Sequence, residues 1–174
     1  MKTLLEIGRF PLAALLALLG ALMLAGAMAF EHWGGFAPCA LCIDQRKAWG
    51  AVILTATLAA WAEGRSRIAV SLLFLGLAGL AALIGAGIAG FHVGVEQKWW
   101  EGVAACGAGF SGFSEGGVAS IREQLLQRPV VRCDEVAWSM LGVSMAGWNG
   151  LISLAAGSGA LYVVLRDLVR IRAS

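Results

Sequence analysis

Long apolar runs, separated by short polar segments, dominate this chain of 174 residues. Asp, Glu, Lys and Arg are absent over 21 residues in 10–30, 28 residues in 68–95 and 30 residues in 136–165. Each run exceeds the roughly 20 residues that a helix needs to cross about 30 Å of hydrocarbon. A fourth run, residues 48–62, reaches that length only if its helix begins near Cys42. The pattern predicts four transmembrane helices, at about residues 10–30, 43–62, 68–92 and 145–165.

The composition agrees with a membrane protein. Hydrophobic residues make up 59% of the chain and charged residues 14%, whereas about 25% of residues are charged in a soluble domain. We expect an all-α integral membrane protein, a four-transmembrane-helix bundle forming one domain over residues 1–174. The first span has an alternative reading as a cleaved signal peptide, since Lys2 and Arg9 precede it. Its apolar run is longer than the roughly 7–15 residues of such signals, and three further spans follow.

Basic residues predict the orientation of the bundle. With the N-terminus inside, the inner segments carry seven Lys and Arg against three Asp and Glu, and the outer segments six against eight. The positive-inside rule therefore places both termini in the cytoplasm. The outer loops are then about residues 31–42 and 93–144. In the longer loop, apolar residues at 118, 121, 125 and 126 fall on one helical face and predict a short membrane-surface helix.

All four cysteines fall in the outer loops under this orientation. Cys39 and Cys42 lie in the first loop as a Cys-x-x-Cys pair, and Cys106 and Cys133 lie in the second. An oxidising compartment permits two disulfides, and three connectivities are open. One alternative is a zinc site, but only one cysteine pair has short ligand spacing. Another is a pair of structural staples in a non-catalytic tetraspan scaffold.

Two features favour redox-active disulfides over purely structural ones. A bridge across two intervening residues removes little chain entropy, so it is a weak staple but a suitable redox couple. Glycines at 107, 109, 112, 116 and 117 follow Cys106. Such a flexible tether suits a bridge that opens, exchanges partners and recloses. Nucleotide and nucleic-acid chemistry are not expected, because the chain has neither a glycine-rich phosphate loop nor a basic stripe.

The start of the second span places positively polarised and charged groups near the dithiol. If that helix begins near Cys42, its free backbone N–H groups favour a thiolate there. Arg46 follows at i+4 on the same helical face, where its guanidinium can stabilise the thiolate or donate to a carbonyl oxygen. An interfacial arginine that snorkels beside Lys47 is the simpler alternative.

These residues resemble the disulfide bond formation protein B (DsbB) family. The resemblance rests on residues 38–46, PCALCIDQR, on the later cysteine pair, and on residues 138–145, WSMLGVSM, before the last span. It covers the whole chain, because the order of spans and loops agrees as well. The vitamin K epoxide reductase fold also couples a membrane Cys-x-x-Cys to a quinone, but there the dithiol lies on a late helix.

The resemblance implies an oxidoreductase of the bacterial inner membrane with its cysteines on the periplasmic side. Its expected partners are a periplasmic thioredoxin-fold thiol oxidase (DsbA-like), which supplies electrons, and ubiquinone or menaquinone, which accepts them. Cys106 would form the mixed disulfide with the partner, and its companion Cys133 would exchange with Cys39. Cys42 would contact the quinone. The residues implied in quinone binding are Arg46, Gln45 and His92. For His92, at the outer end of the third span, an interfacial anchor is the alternative.

Overall fold

The computed structural model describes residues 9–102 and 132–173 and is a helical bundle. The elements are α1 (Arg9–His32), α2 (Ala40–Glu63), α3 (Ile68–Glu96), a hairpin of β1 (Ser139–Met140) and β2 (Val143–Ser144), and α4 (Met145–Ala173). The all-helical expectation is therefore correct apart from the hairpin, which we did not predict. Cys106 and the predicted surface helix lie outside the described residues.

Three described helices, α1, α3 and α4, are long and apolar enough to cross a membrane. Helix α2 is as long as α1, at 24 residues, but its first two turns carry Asp44, Arg46 and Lys47. Large apolar side chains such as Leu22, Leu73 and Leu165 point away from the bundle and are exposed. A membrane-embedded bundle explains this surface, since lipid takes the place of water around it.

The helices pack mainly in chain order, α1 on α2, α2 on α3 and α3 on α4. The core between them is rich in alanine, and small residues let the helix backbones approach closely. Gly79 of α3 and Gly157 of α4 lie at one such close approach. A Cβ atom added at Gly157 would lie 2.8 Å from the Gly79 carbonyl oxygen. Glycine at these two positions therefore sets the spacing of α3 and α4.

The hairpin determines where α4 begins. Leu141 and Gly142 both have positive φ, 54° and 78°, as in the type I′ turn that joins antiparallel strands through two residues. At the last residue of the second strand, the Ser144 hydroxyl oxygen accepts a hydrogen bond of 3.1 Å from the Gly147 backbone N–H. That is the geometry of a helix N-cap. The charge-free run 136–165 is thus split into a turn and a helix.

An ionic cluster joins three helices at the other end of the bundle. The Arg9 guanidinium of α1 contacts the Glu63 carboxylate of α2 at 3.0 Å and the Asp167 carboxylate of α4 at 3.3 Å. Arg166 also contacts Asp167, at 2.8 Å. These contacts lie at the end of α2 opposite to Cys39, so they keep the ends of α1, α2 and α4 together away from the cysteines.

Candidate redox site

Cys39 and Cys42 form the start of helix α2. Cys39 is the N-cap residue, with φ −79° and ψ 172°, and its sulfur accepts a hydrogen bond of 3.3 Å from the Cys42 backbone N–H. The two sulfur atoms lie 2.9 Å apart. Cys39 is buried and Cys42 is half-buried. The helix therefore holds both sulfurs among the unpaired N–H groups of its first turn, which favour an anion.

The two sulfurs are not equivalent. The hydrogen bond with Cys42, together with burial, raises the pKa of Cys39 above its ordinary value. A negative charge shared by the dithiol is therefore placed on Cys42, the more accessible sulfur and the one deeper in the helical turn. This is the asymmetry expected of a dithiol in which one sulfur reacts outward and the other exchanges inward.

Cys133 packs directly against Cys39. Its side chain is 1% exposed and belongs to a buried cluster with Cys39, Leu41 and Val95. The Cys133 side chain is close enough to influence the Cys39 thiol. The long outer loop thus brings one of its cysteines to the first cysteine of the Cys-x-x-Cys pair, across 93 residues of chain. Thiol–disulfide exchange needs this kind of sulfur proximity.

Two of the predicted quinone-binding residues meet beside the dithiol. His92 of α3 is 5% exposed and Gln45 of α2 is 6% exposed. The Gln45 side-chain nitrogen lies 3.0 Å from His92 Nδ1, and His92 Nε2 lies 3.7 Å from the Cys39 sulfur. The Cys133 backbone also lies close to the His92 ring. His92 is therefore in contact with both cysteines of the proposed exchange.

Arg46 takes a partner that the sequence did not indicate. Its guanidinium pairs with the Glu31 carboxylate of α1 and donates a hydrogen bond of 3.2 Å to the Ala27 carbonyl oxygen. The charge of Arg46 still acts on the Cys42 sulfur, as its i+4 spacing predicted. Lys47 instead forms an exposed pair of 2.8 Å with Asp44. Arg46 therefore faces α1, while Lys47 faces away from the dithiol.

Comparison with known proteins identifies the family. The family model described as "Disulfide bond formation protein DsbB" matches residues 9–163. The chain belongs to this family.

Curated relatives agree across most of the chain. It is 35% identical over 131 residues to disulfide bond formation protein B 2 of Pseudomonas aeruginosa, covering 75% of each chain. It is 33% identical over 145 residues to disulfide bond formation protein B of Nitrosococcus oceani, covering 82% of this chain and 83% of the relative. The Verminephrobacter eiseniae protein of the same name is 32% identical over 159 residues, covering 89% and 85%.

Three residues at this DsbB-family site were missed by sequence reasoning. Asn149 of α4 and Trp49 of α2 are buried and bonded to each other, and Asn149 also bonds Gln45. A lone Asn in an apolar span was the available signal for the first. Glu96 ends α3 with its Oε1 3.9 Å from His92 Nε2, and its Oε2 is buried with no hydrogen-bond partner among the described residues.

The cluster is also the only described group with the spacing of a metal site. The ligand-type atoms of Cys39, Cys42 and His92 all lie within 4.8 Å of one another. A structural zinc ion takes four ligands, and the described residues supply three at this point. Because Cys39 already contacts a third sulfur, that of Cys133, we interpret the cluster as a centre for thiol exchange.

Proposed function

We propose that this protein catalyses quinone-dependent oxidation of a DsbA-like periplasmic dithiol oxidase and so generates disulfides de novo. Membership of the DsbB family supports a disulfide-generating membrane oxidoreductase. The observation that carries the finer proposal is the burial of Cys133 against Cys39 beside a half-buried Cys42. This arrangement provides one sulfur for exchange with the loop and another that faces outward from the pair.

The relay begins in the outer loop. The partner's dithiol reduces a Cys106–Cys133 disulfide through a mixed disulfide at Cys106. The Cys133 thiolate then attacks the Cys39 sulfur of the Cys39–Cys42 disulfide. A Cys133–Cys39 bond forms, the Cys39–Cys42 bond breaks, and the electron pair leaves on Cys42 as a thiolate.

The second exchange completes the transfer of two electrons. The Cys106 thiolate attacks Cys133, so the loop disulfide reforms and Cys39 leaves as a thiolate. Oxidation of the pair then restores the Cys39–Cys42 disulfide. A leaving thiolate at Cys39 is costly, because burial and the bond with Cys42 both raise the pKa of this thiol. A neighbouring hydrogen-bond donor is therefore needed at that sulfur.

The residues around Cys42 fit a quinone. A guanidinium has five N–H donors, and the contacts of Arg46 to Glu31 and Ala27 leave donors over for a ring carbonyl oxygen. Gln45 and His92 form the wall behind the dithiol. Bound here, the quinone supplies an acceptor for two electrons and two protons. Ubiquinone and menaquinone present the same carbonyl chemistry to these donors.

We place the protein in the bacterial inner membrane with both termini in the cytoplasm and the cysteines in the periplasm. The charge counts support this orientation. The bundle supports it too, because the cysteines lie at the end of α2 opposite to the short basic connection between α2 and α3, residues 64–67. A periplasmic position also gives the dithiol an oxidising environment.

The test is thiol oxidation with purified protein in detergent. A reduced thioredoxin-fold thiol oxidase and a short-chain ubiquinone are added under anaerobic conditions, and loss of the partner's free thiols is followed. We expect catalytic oxidation that requires both the protein and the quinone, and none with Cys42→Ser. Equal rates without quinone, or with Cys42→Ser, would contradict the proposal.

A further inference from the structure

A chain of four buried polar side chains runs between α2, α4 and α3 to the reactive sulfurs. Trp49, Asn149, Gln45 and His92 are each 9% exposed or less. Buried polar groups in a membrane bundle are costly unless they are hydrogen-bonded. Each member of this chain is bonded to the next, so the whole chain is satisfied.

The indole at one end determines the direction of every bond. A Trp side chain can only donate, so Trp49 Nε1–H donates to Asn149 Oδ1 at 2.7 Å. Asn149 Nδ2–H must then be the end that donates to Gln45 Oε1. Gln45 is left to donate through Nε2–H to His92 Nδ1, at 3.0 Å. If either amide group were flipped, the donor before it in the chain would face an N–H instead of an oxygen, and that hydrogen bond would be lost.

The last bond decides the state of the imidazole. A His92 ring that accepts at Nδ1 is neutral and carries its proton on Nε2. His92 Nε2 lies 3.7 Å from the Cys39 sulfur, with the Cys133 backbone nearby. The donor needed at Cys39 is therefore present on His92, and it is held there by residues that do not touch the cysteines.

We propose that Trp49, acting through Asn149 and Gln45, locks His92 in the neutral Nε2–H tautomer and thereby presents a permanent hydrogen-bond donor to the exchanging sulfur of Cys39. The inference rests on the proposed function for its catalytic meaning. Trp49, Asn149 and Gln45 are positioning residues, and His92 is the group that touches the reacting atoms. Because the imidazole cannot gain a proton without reversing the chain, His92 does not become an imidazolium between pH 5 and pH 8.

The groups that face His92 make this lock informative. Cys39 and Cys42 face it from the start of α2, Glu96 from its own helix at 3.9 Å, and Cys133 from the loop. A carboxylate so close would ordinarily favour a charged imidazole. Burial of both side chains, 6% and 5% exposed, favours their neutral forms instead, so the change caused by Trp49→Phe, and not the neutral state alone, identifies the lock.

The direct test reads the tautomer without any turnover. The chain has two histidines, so ¹⁵N-histidine labelling with a His32→Gln variant assigns the His92 signals. We expect the pattern of a neutral Nε2–H ring that does not titrate between pH 5 and pH 8. In Trp49→Phe the chain can reverse, and the His92 ¹⁵N signals should become sensitive to pH. Trp148→Phe is the matched control, because it removes an indole N–H that bonds only the hairpin.

An imidazolium signal at pH 6 in the parent protein, or unchanged signals in Trp49→Phe, would overturn the lock. If Trp49→Phe does not fold, Asn149→Leu breaks the same chain one bond later and is read in the same way. The tautomer measurement stands even if quinone-dependent turnover is never observed, so the two proposals can fail separately.

A kinetic measurement connects the lock to catalysis. We expect Asn149→Leu to slow partner oxidation about tenfold at pH 6, as expected for loss of one well-placed donor. Its pH profile should gain an inflection that the parent lacks and that disappears in Asn149→Leu/His92→Phe. An inflection that persists in this double variant belongs to another group and would refute the link to His92.

Discussion

Removal of the Arg46 guanidinium tests the assignment of the quinone side of the site. In the folded protein this group lies beside Cys42 and pairs with Glu31 and the Ala27 carbonyl oxygen. Arg46→Ala therefore has two effects: the quinone loses a cationic donor, and the Glu31 carboxylate is left without its partner close to the dithiol. Both effects weaken binding of an electron-rich carbonyl oxygen.

The size of the effect follows from the kind of bond. A hydrogen bond from a charged donor contributes about 1.5–3 kcal/mol, which corresponds to roughly 10- to 100-fold in affinity. The effect on stability should be smaller. The side chains of Arg46 and Glu31 are 17% and 31% exposed, and partly exposed ion pairs contribute about 0.2–1 kcal/mol. We therefore expect Arg46→Ala to fold and to bind quinone weakly.

The assay measures the quinone concentration that gives half-maximal partner oxidation. Arg46→Lys should recover part of the loss, because an ammonium keeps the charge without the planar fork. Glu31→Gln/Arg46→Ala should bind quinone better than Arg46→Ala, since the unpaired carboxylate is gone. Lys47→Ala is the matched control, since its side chain is 71% exposed and pairs with Asp44. A curve for Arg46→Ala that superimposes on the parent would refute the assignment.

Three further results are expected. When mixed with the oxidised partner, Cys133→Ala should accumulate a covalent complex on a non-reducing gel, because the Cys106 thiolate opens the partner's disulfide and the Cys133 thiol that would resolve the new bond is absent; equal accumulation in Cys106→Ala would refute Cys106 as the entry point. In the reduced protein at pH 7, peptide mapping should find iodoacetamide on Cys42 before Cys39. The raised pKa of Cys39 keeps its thiol protonated, and burial shields it from the reagent. Preferential labelling of Cys39 would contradict this order. Gly79→Leu should lower the thermal unfolding temperature more than Gly79→Ala, because even the Cβ of alanine would lie 3.1 Å from α4 side chains. Equal unfolding temperatures of the two variants would argue against close α3–α4 packing.

Glycine illustrates how far a sequence pattern reaches. Five glycines of α3 lie between residues 76 and 90, and any of them could allow close helix packing. An added Cβ would lie 3.1 Å from α4 side chains at Gly79 and 3.2 Å from Ala48 of α2 at Gly85, but would meet nothing within 4 Å at Gly76, Gly87 and Gly90. Composition shows that small residues are present, whereas the rotation of the helix decides which of them meet a neighbour.

The sequence by itself determined the helical membrane bundle and the position of the dithiol at the start of a helix. Both depend on local properties, namely the length of charge-free runs and the polar residues that interrupt them. The family was likewise readable from a short segment, because PCALCIDQR keeps its chemistry and spacing together along the chain.

Only the tertiary structure decided which side chains meet across the bundle. The contact of Cys133 with Cys39, the pairing of Arg46 with Glu31 and the bond between Asn149 and Trp49 join residues 15 to 100 positions apart. Such contacts depend on the relative rotation and depth of packed helices. The same hydrophobic pattern is compatible with several such arrangements, so the pattern alone does not select one. The direction of the hydrogen-bond chain to His92 arises at this level, because it needs an indole of α2, an amide of α4 and an imidazole of α3 at one point.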